Sequence, residues 1–137
     1  MTADWQREIA ELHEFFEGWL GGSLADTDGS FGRFEGAIVP GFTFIGPDAR
    51  VIGREDLVAG LRAAHGSRPA IRIRIENPRL RHETADLLVA TYEEWQECTP
   101  TVTGRLSTVV FGTSHDGLEW MHVHETWIRP PAGGATA

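Results

Sequence analysis

Residues 120–130, WMHVHETWIRP, constrain the fold more than any other stretch of this chain. Met121, Val123, Glu125 and Trp127 alternate with His122, His124 and Thr126, and a period of two is that of a strand with one buried face. Glu125 falls on the apolar side, where an unpaired charge is costly to bury. It is therefore either a paired structural acid or a polar group in a binding cavity.

The 137 residues suffice for one domain with a single core. Twelve Lys+Arg against twenty Asp+Glu leave a net charge of −8, which argues against nucleic-acid backbones and anionic membranes as partners. All twelve of those basic residues are Arg, so lysine Schiff-base chemistry is excluded. Cys98, the single cysteine, has no partner for an internal disulfide or a zinc site. No apolar run approaches the ~20 residues of a spanning helix, and the acidic start TADWQREIAE is unlike a secretory signal. The expectation is a soluble, cytoplasmic protein.

Trp5, Ile9, Leu12, Phe16, Trp19 and Leu20 recur at helical spacing, with Thr2 as the expected N-cap and Gly21-Gly22 as the end. After a loop at 23–30, Ser30 is placed to cap a short helix carrying Phe31, Phe34 and Ile38. Residues 42–46 read as a strand stopped by Pro47-Asp48. Val51-Ile52 reads as a short pairing, and Arg54 to His65 as a third helix closed by Gly66. From Ile71 the period becomes two, through Glu76. Three more strands follow at about 87–97, 105–113 and 119–128, the last hairpin turning at His115-Asp116-Gly117. Helices first and a four-strand antiparallel meander afterwards predict an α+β fold, its curved sheet wrapped around the N-terminal helices. One domain is expected over 1–129, with 130–137 a disordered tail.

The amphipathic first helix, the segment FTFIGPDARVIGREDLVAGLR at 42–62 and the closing HVHETW resemble the nuclear-transport-factor-2-like superfamily, in its SnoaL-like and ketosteroid-isomerase-like branch. The resemblance spans roughly residues 3–129. It implies a cone of sheet and helices around an apolar cavity, commonly in a homodimer; no cofactor is expected. The fold hosts isomerases, cyclases, dehydratases and association domains, so it does not by itself name a function. The isomerase residues are not carried over. Gly46 stands where the general-base Asp is expected, Phe15, Phe16 and Trp19 where the oxyanion-hole Tyr is, and Ser107 near the second Asp.

Strand pairing offers another set. With Ser107 opposite Glu125, Arg105 opposite Trp127, Tyr92 opposite Ser107 and Glu94 opposite Arg105, parity agrees across three strands. Tyr92, Glu94, Arg105, Ser107, Val109, Phe111, Val123, Glu125 and Trp127 then share the concave face. A buried acid there has a raised pKa and can act as general acid or base; equally, Arg105 can neutralise Glu94 or Glu125 in a structural network. The catalytic candidates are Glu125, Tyr92 and Arg105. Phe16, Trp19, Phe34, Glu94, Ser107, Val109, Val123 and Trp127 are the ligand-binding candidates.

His122 and His124 form an H-x-H pair on the convex face, with only His82 and Glu93 conceivable as further ligands, so no metal is assigned. His13, His65 and His115 are expected to be solvated. The convex face, with Val89, Thr91, Trp95, Leu106, Thr108 and Val110, is too apolar for solvent and predicts a twofold dimer packed sheet to sheet. The function expected is binding, with acid–base conversion where turnover occurs, of a small, mostly apolar metabolite. The alternative is a non-catalytic association domain.

Overall fold

The computed structural model describes residues 4–114 and 117–132. The elements run α1 (Asp4–Gly21), α2 (Asp28–Glu35), β1 (Ile38–Ile45), β2 (Val51–Gly53), α3 (Arg54–Ala63), β3 (Arg72–Glu83), β4 (Leu87–Cys98), β5 (Thr101–Ser114) and β6 (Gly117–Arg129). The six strands form one sheet in the order β2-β1-β6-β5-β4-β3. This is the α+β architecture predicted, with β3 to β6 an antiparallel meander. One pairing departs from that pattern: β1 runs parallel to β6, with Phe44 beside Val123 and Ile45 beside His124. Thr2, His115, Asp116 and the end of the tail lie outside the described residues.

The apolar stripe of α1 buries Trp5, Ile9, Leu12, Phe15 and Trp19. These pack with Phe31 and Phe34 of α2 against Leu88, Val109, Phe111, Trp120 and Val123 of the sheet. Full burial of one such large apolar side chain contributes about 1.5–3 kcal/mol. The open carbonyls at the end of α1 are capped from a distance: Gly66 N–H donates to Trp19 O at 2.9 Å and Arg68 N–H to Leu20 O at 2.9 Å. Gly22 and Gly66, at φ +86° and +70°, meet there, and a Cβ on Gly22 would sit 3.3 Å from the Gly66 Cα.

Two expectations shift at the helix ends. Thr27, not Ser30, caps α2: its Oγ1 accepts the Ser30 N–H at 3.1 Å. Ile38 opens β1 instead of closing that helix. The strand read through Glu76 continues to Glu83, with a bulge after Glu76 where Asn77 stands at φ +53°. A bulge in β6 pairs Val110 with His122 but Phe111 with Trp120. The intervening Met121 is pushed out, 38 % exposed, and Trp120 turns into the core. Met121 therefore does not share the face of Val123 and Glu125.

Candidate functional site

Alternate residues of three adjacent strands carry the polar groups toward α1. The pairs Tyr92–Ser107, Glu94–Arg105, Ser107–Glu125 and Arg105–Trp127 all occur in the register predicted. Glu125, 5 % exposed, accepts from Arg105 Nη1 at 3.2 Å and from Ser107 Oγ at 3.1 Å. The Arg105 guanidinium lies 4.9 Å over the Trp127 ring, and Trp127 Nε1 donates to Asp48 at 2.8 Å.

The other acid of the cluster has a partner that the sequence reading missed. His13, expected in solvent, is 4 % exposed, and its Nε2 lies 3.2 Å from Glu94 Oε1. Its Nδ1 is 2.8 Å from the Ile9 carbonyl. A carbonyl only accepts, so Nδ1 carries a proton; with Nε2 facing a carboxylate, the ring is an imidazolium. Glu94 uses its second oxygen to accept from Gln96 Nε2 at 2.7 Å. The signal for His13 was its spacing, four residues after Ile9 on the buried stripe of α1.

The two carboxyls are driven apart. Burial and then the nearby Glu94 charge push Glu125 up to about 7, against the opposing pull of Arg105 and Ser107. Burial also pushes Glu94 up, but the charge and hydrogen bond of His13, with Arg105 and Gln96, hold it down at about 2. Burial lowers His13, yet Glu94 and the Ile9 carbonyl outweigh it and raise it above the ordinary 6.5. Tyr92 is raised well above the usual phenol range by burial and by both acids. Two neighbouring acids with different titrations are the usual basis for distinct proton-holding roles.

A cavity of about 180 Å³ opens onto this cluster. Seven predicted site residues line it: Phe16, Phe34, Tyr92, Glu94, Arg105, Val123 and Glu125. His13 and Gln96 line it too, with further apolar wall from Leu12, Phe42, Phe44 and Leu61. Trp19, Ser107, Val109 and Trp127 do not. Trp19 is fully buried among Phe15, Phe31 and His65, and its Nε1 donates to Leu61 O at 2.7 Å. Ser107 and Val109 have no exposure and sit behind the lining, Ser107 reaching it through Glu125 and Tyr92. Trp127 is held aside by Asp48.

His65 is not solvated either: Nε2 donates to the Leu24 carbonyl at 2.7 Å, and the ring stands edge-on to Trp19. His122 and His124 lie on the convex face, as parity required, with His122 Nδ1 2.8 Å from Thr43 Oγ1. Among the described residues no group of three or more His, Cys, Asp or Glu is arranged to hold a metal. No described helix is long and apolar enough to cross a membrane.

Comparison with known proteins adds two kinds of likeness. The family described as sucrose-6-phosphate phosphohydrolase C-terminal matches residues 5–129. Sucrose-phosphatase 1 of Nicotiana tabacum is 26% identical over 136 residues, covering 95% of this chain and 32% of that protein. The chain thus spans about a third of the length of the curated relatives it matches. Among solved structures, an NTF2-like protein of unknown function from Pseudomonas aeruginosa superposes with a TM-score of 0.85 at 28% identity, over 91% of this chain and 98% of that one. The CamKII hub homology domain of Chlamydamonas reinhardtii has a TM-score of 0.65 at 14% identity, over 88% and 96%, a likeness of fold alone. The fold is that of the nuclear-transport-factor-2-like superfamily.

Proposed function

Because this chain belongs to the sucrose-6-phosphate phosphohydrolase C-terminal family, we propose that it serves as a ligand-binding domain of that family, taking a small, mostly apolar metabolite into its cavity. Glu125 is the titrating group, and Tyr92 and Arg105 position the ligand. The observation that carries this reading is a carboxyl at about 7, within a small polar cluster, lining a cavity whose remaining walls are apolar, the value at which a group both gives and takes protons in neutral solution. Acid–base conversion of isomerase, cyclase or hydratase type is the chemistry such a group supports. A volume of about 180 Å³ is below the ~300 Å³ at which drug-sized pockets begin. It is comparable to the ~150 Å³ apolar cavity that admits benzene. It suits a one-ring or short-chain body better than a disaccharide.

Native mass spectrometry of gently purified protein is expected to detect a co-purifying small molecule. A Glu125→Gln variant is then expected to fold, to keep the molecule, and to slow its turnover by about 10²–10⁴-fold. Full activity in that variant rejects the role of Glu125. A cavity that binds neither a native molecule nor small aromatic probes rejects the reading altogether.

A second reading is association. The convex face exposes Leu106 beside half-buried Val89, Trp95 and Val110, and a hub homology domain shares the fold. A twofold dimer covering this face, with His122 and His124 in or near it, follows. Sedimentation velocity at neutral pH and micromolar concentration is expected to give the dimer mass. A monomer under those conditions rejects this reading. The free thiol of Cys98 fits a reducing compartment such as the cytoplasm.

A further inference from the structure

We propose that the ligand of the cavity is the monoanion of a small apolar carboxylic acid, seated with its carboxylate on Arg105 and taken up together with one proton from solvent on Glu125. This rests on the ligand-binding reading above and names the chemical class that reading leaves open.

The charges of the cluster decide the sign of the ligand. The His13–Glu94 pair is closed: both ring nitrogens and both carboxylate oxygens already have partners. Arg105 is not. Among the described residues only its Nη1 has an acceptor, Glu125, and Nε is buried without one. An orphaned buried N–H is uncommon and calls for a partner, and a guanidinium edge accepts a carboxylate in two parallel hydrogen bonds. Glu125 is faced by Arg105 and Ser107 from β5, by Tyr92 and Glu94 from β4, and by His13 from α1. With a proton on Glu125, the balance of the cluster is one surplus positive charge, on Arg105. The same proton turns Glu125 into a donor toward an incoming carboxylate oxygen.

Other ligand charges fit less well. A cation would meet Arg105 and His13 across the same space. A phosphate ester brings up to two negative charges against one surplus positive one, within walls formed by Phe16, Phe34, Phe42 and Phe44. Burial of an unbalanced charge among such walls is disfavoured. One negative charge on an apolar body of one ring matches both the volume and the balance.

Isothermal titration of the whole chain with benzoate, benzamide and benzylamine tests this, each run between pH 6 and 9 in two buffers of different ionisation enthalpy. Benzoate is expected to bind at least tenfold tighter than either of the others. It should take up close to one proton per site near pH 8 and weaken about tenfold per pH unit above neutrality, as linkage requires. In a Glu125→Gln variant, benzoate binding is expected to persist without proton uptake or pH slope. Preference for benzamide or benzylamine overturns the anion assignment while leaving the ligand-binding reading standing. Benzoate binding without proton uptake in the unaltered protein overturns the role of Glu125, whatever the variant does. Failure of all three probes to bind overturns both.

Discussion

Replacing His13 with leucine is expected to destabilise the domain by about 3–5 kcal/mol, the usual effect of removing one partner from a buried ion pair. The variant would leave Glu94, 5 % exposed, with only Gln96 and the more distant charge of Arg105 to stabilise its carboxylate. Urea denaturation at neutral pH measures the loss. The double variant His13→Leu with Glu94→Leu is expected to recover most of it, because two apolar groups of similar volume replace a buried pair at little net change. A loss below about 1 kcal/mol in the single variant would mean that the pair is only a weak contact, of the kind made at surfaces.

Folding stability is expected to fall as pH rises from about 4.5 through 7. Glu125 has an ordinary value of 4.5 and a folded value of about 7, so in that window the folded protein holds a proton that the unfolded chain has released. At 1.36 kcal/mol per pH unit the loss totals about 3 kcal/mol and is complete above 7. His13 acts in the same direction: its folded value lies above 6.5, so its contribution is present at lower pH and disappears as pH rises through that folded value. Glu94 acts oppositely, its contribution being lost as pH falls from 4.5 toward 2. The expected profile has its maximum near pH 5, and Glu125→Gln should flatten the upper limb. Equal stability at pH 5 and pH 8 in the unaltered protein would mean that the Glu125 carboxyl is not buried in solution.

The strand register was legible because each strand carries polar groups among apolar ones at fixed parity. Tyr92, Glu94, Arg105, Ser107 and Glu125 match one another under only one alignment, and that alignment is the one observed. Parity failed at Met121, since a bulge inserts a residue without any compositional mark. The cap of α2 was misplaced because Thr27 and Ser30 are chemically equivalent caps three residues apart. His13 was missed for a different reason. Helical spacing put it on the buried stripe, but its charge state depends on Glu94, 81 residues away, and on a helix-to-sheet contact that periodicity does not reveal. The superfamily was readable from residues 42–62, whose turn and helix-start chemistry belongs to the fold.

The two ends of the strand order have a consequence for how copies of this molecule meet. Edge strands offer unpaired backbone groups on which a foreign strand can grow. At one end β2 has three residues, too few to template an extended ladder. At the other end β3 is twelve residues long but carries exposed Arg72, Arg74, Arg79 and Arg81 and is broken by the bulge at Asn77. Two such edges brought together would set arginine against arginine and place the irregularities out of step. Strand addition, the route to runaway polymers, is discouraged at both ends. The association proposed above, through the convex face, does not depend on either edge.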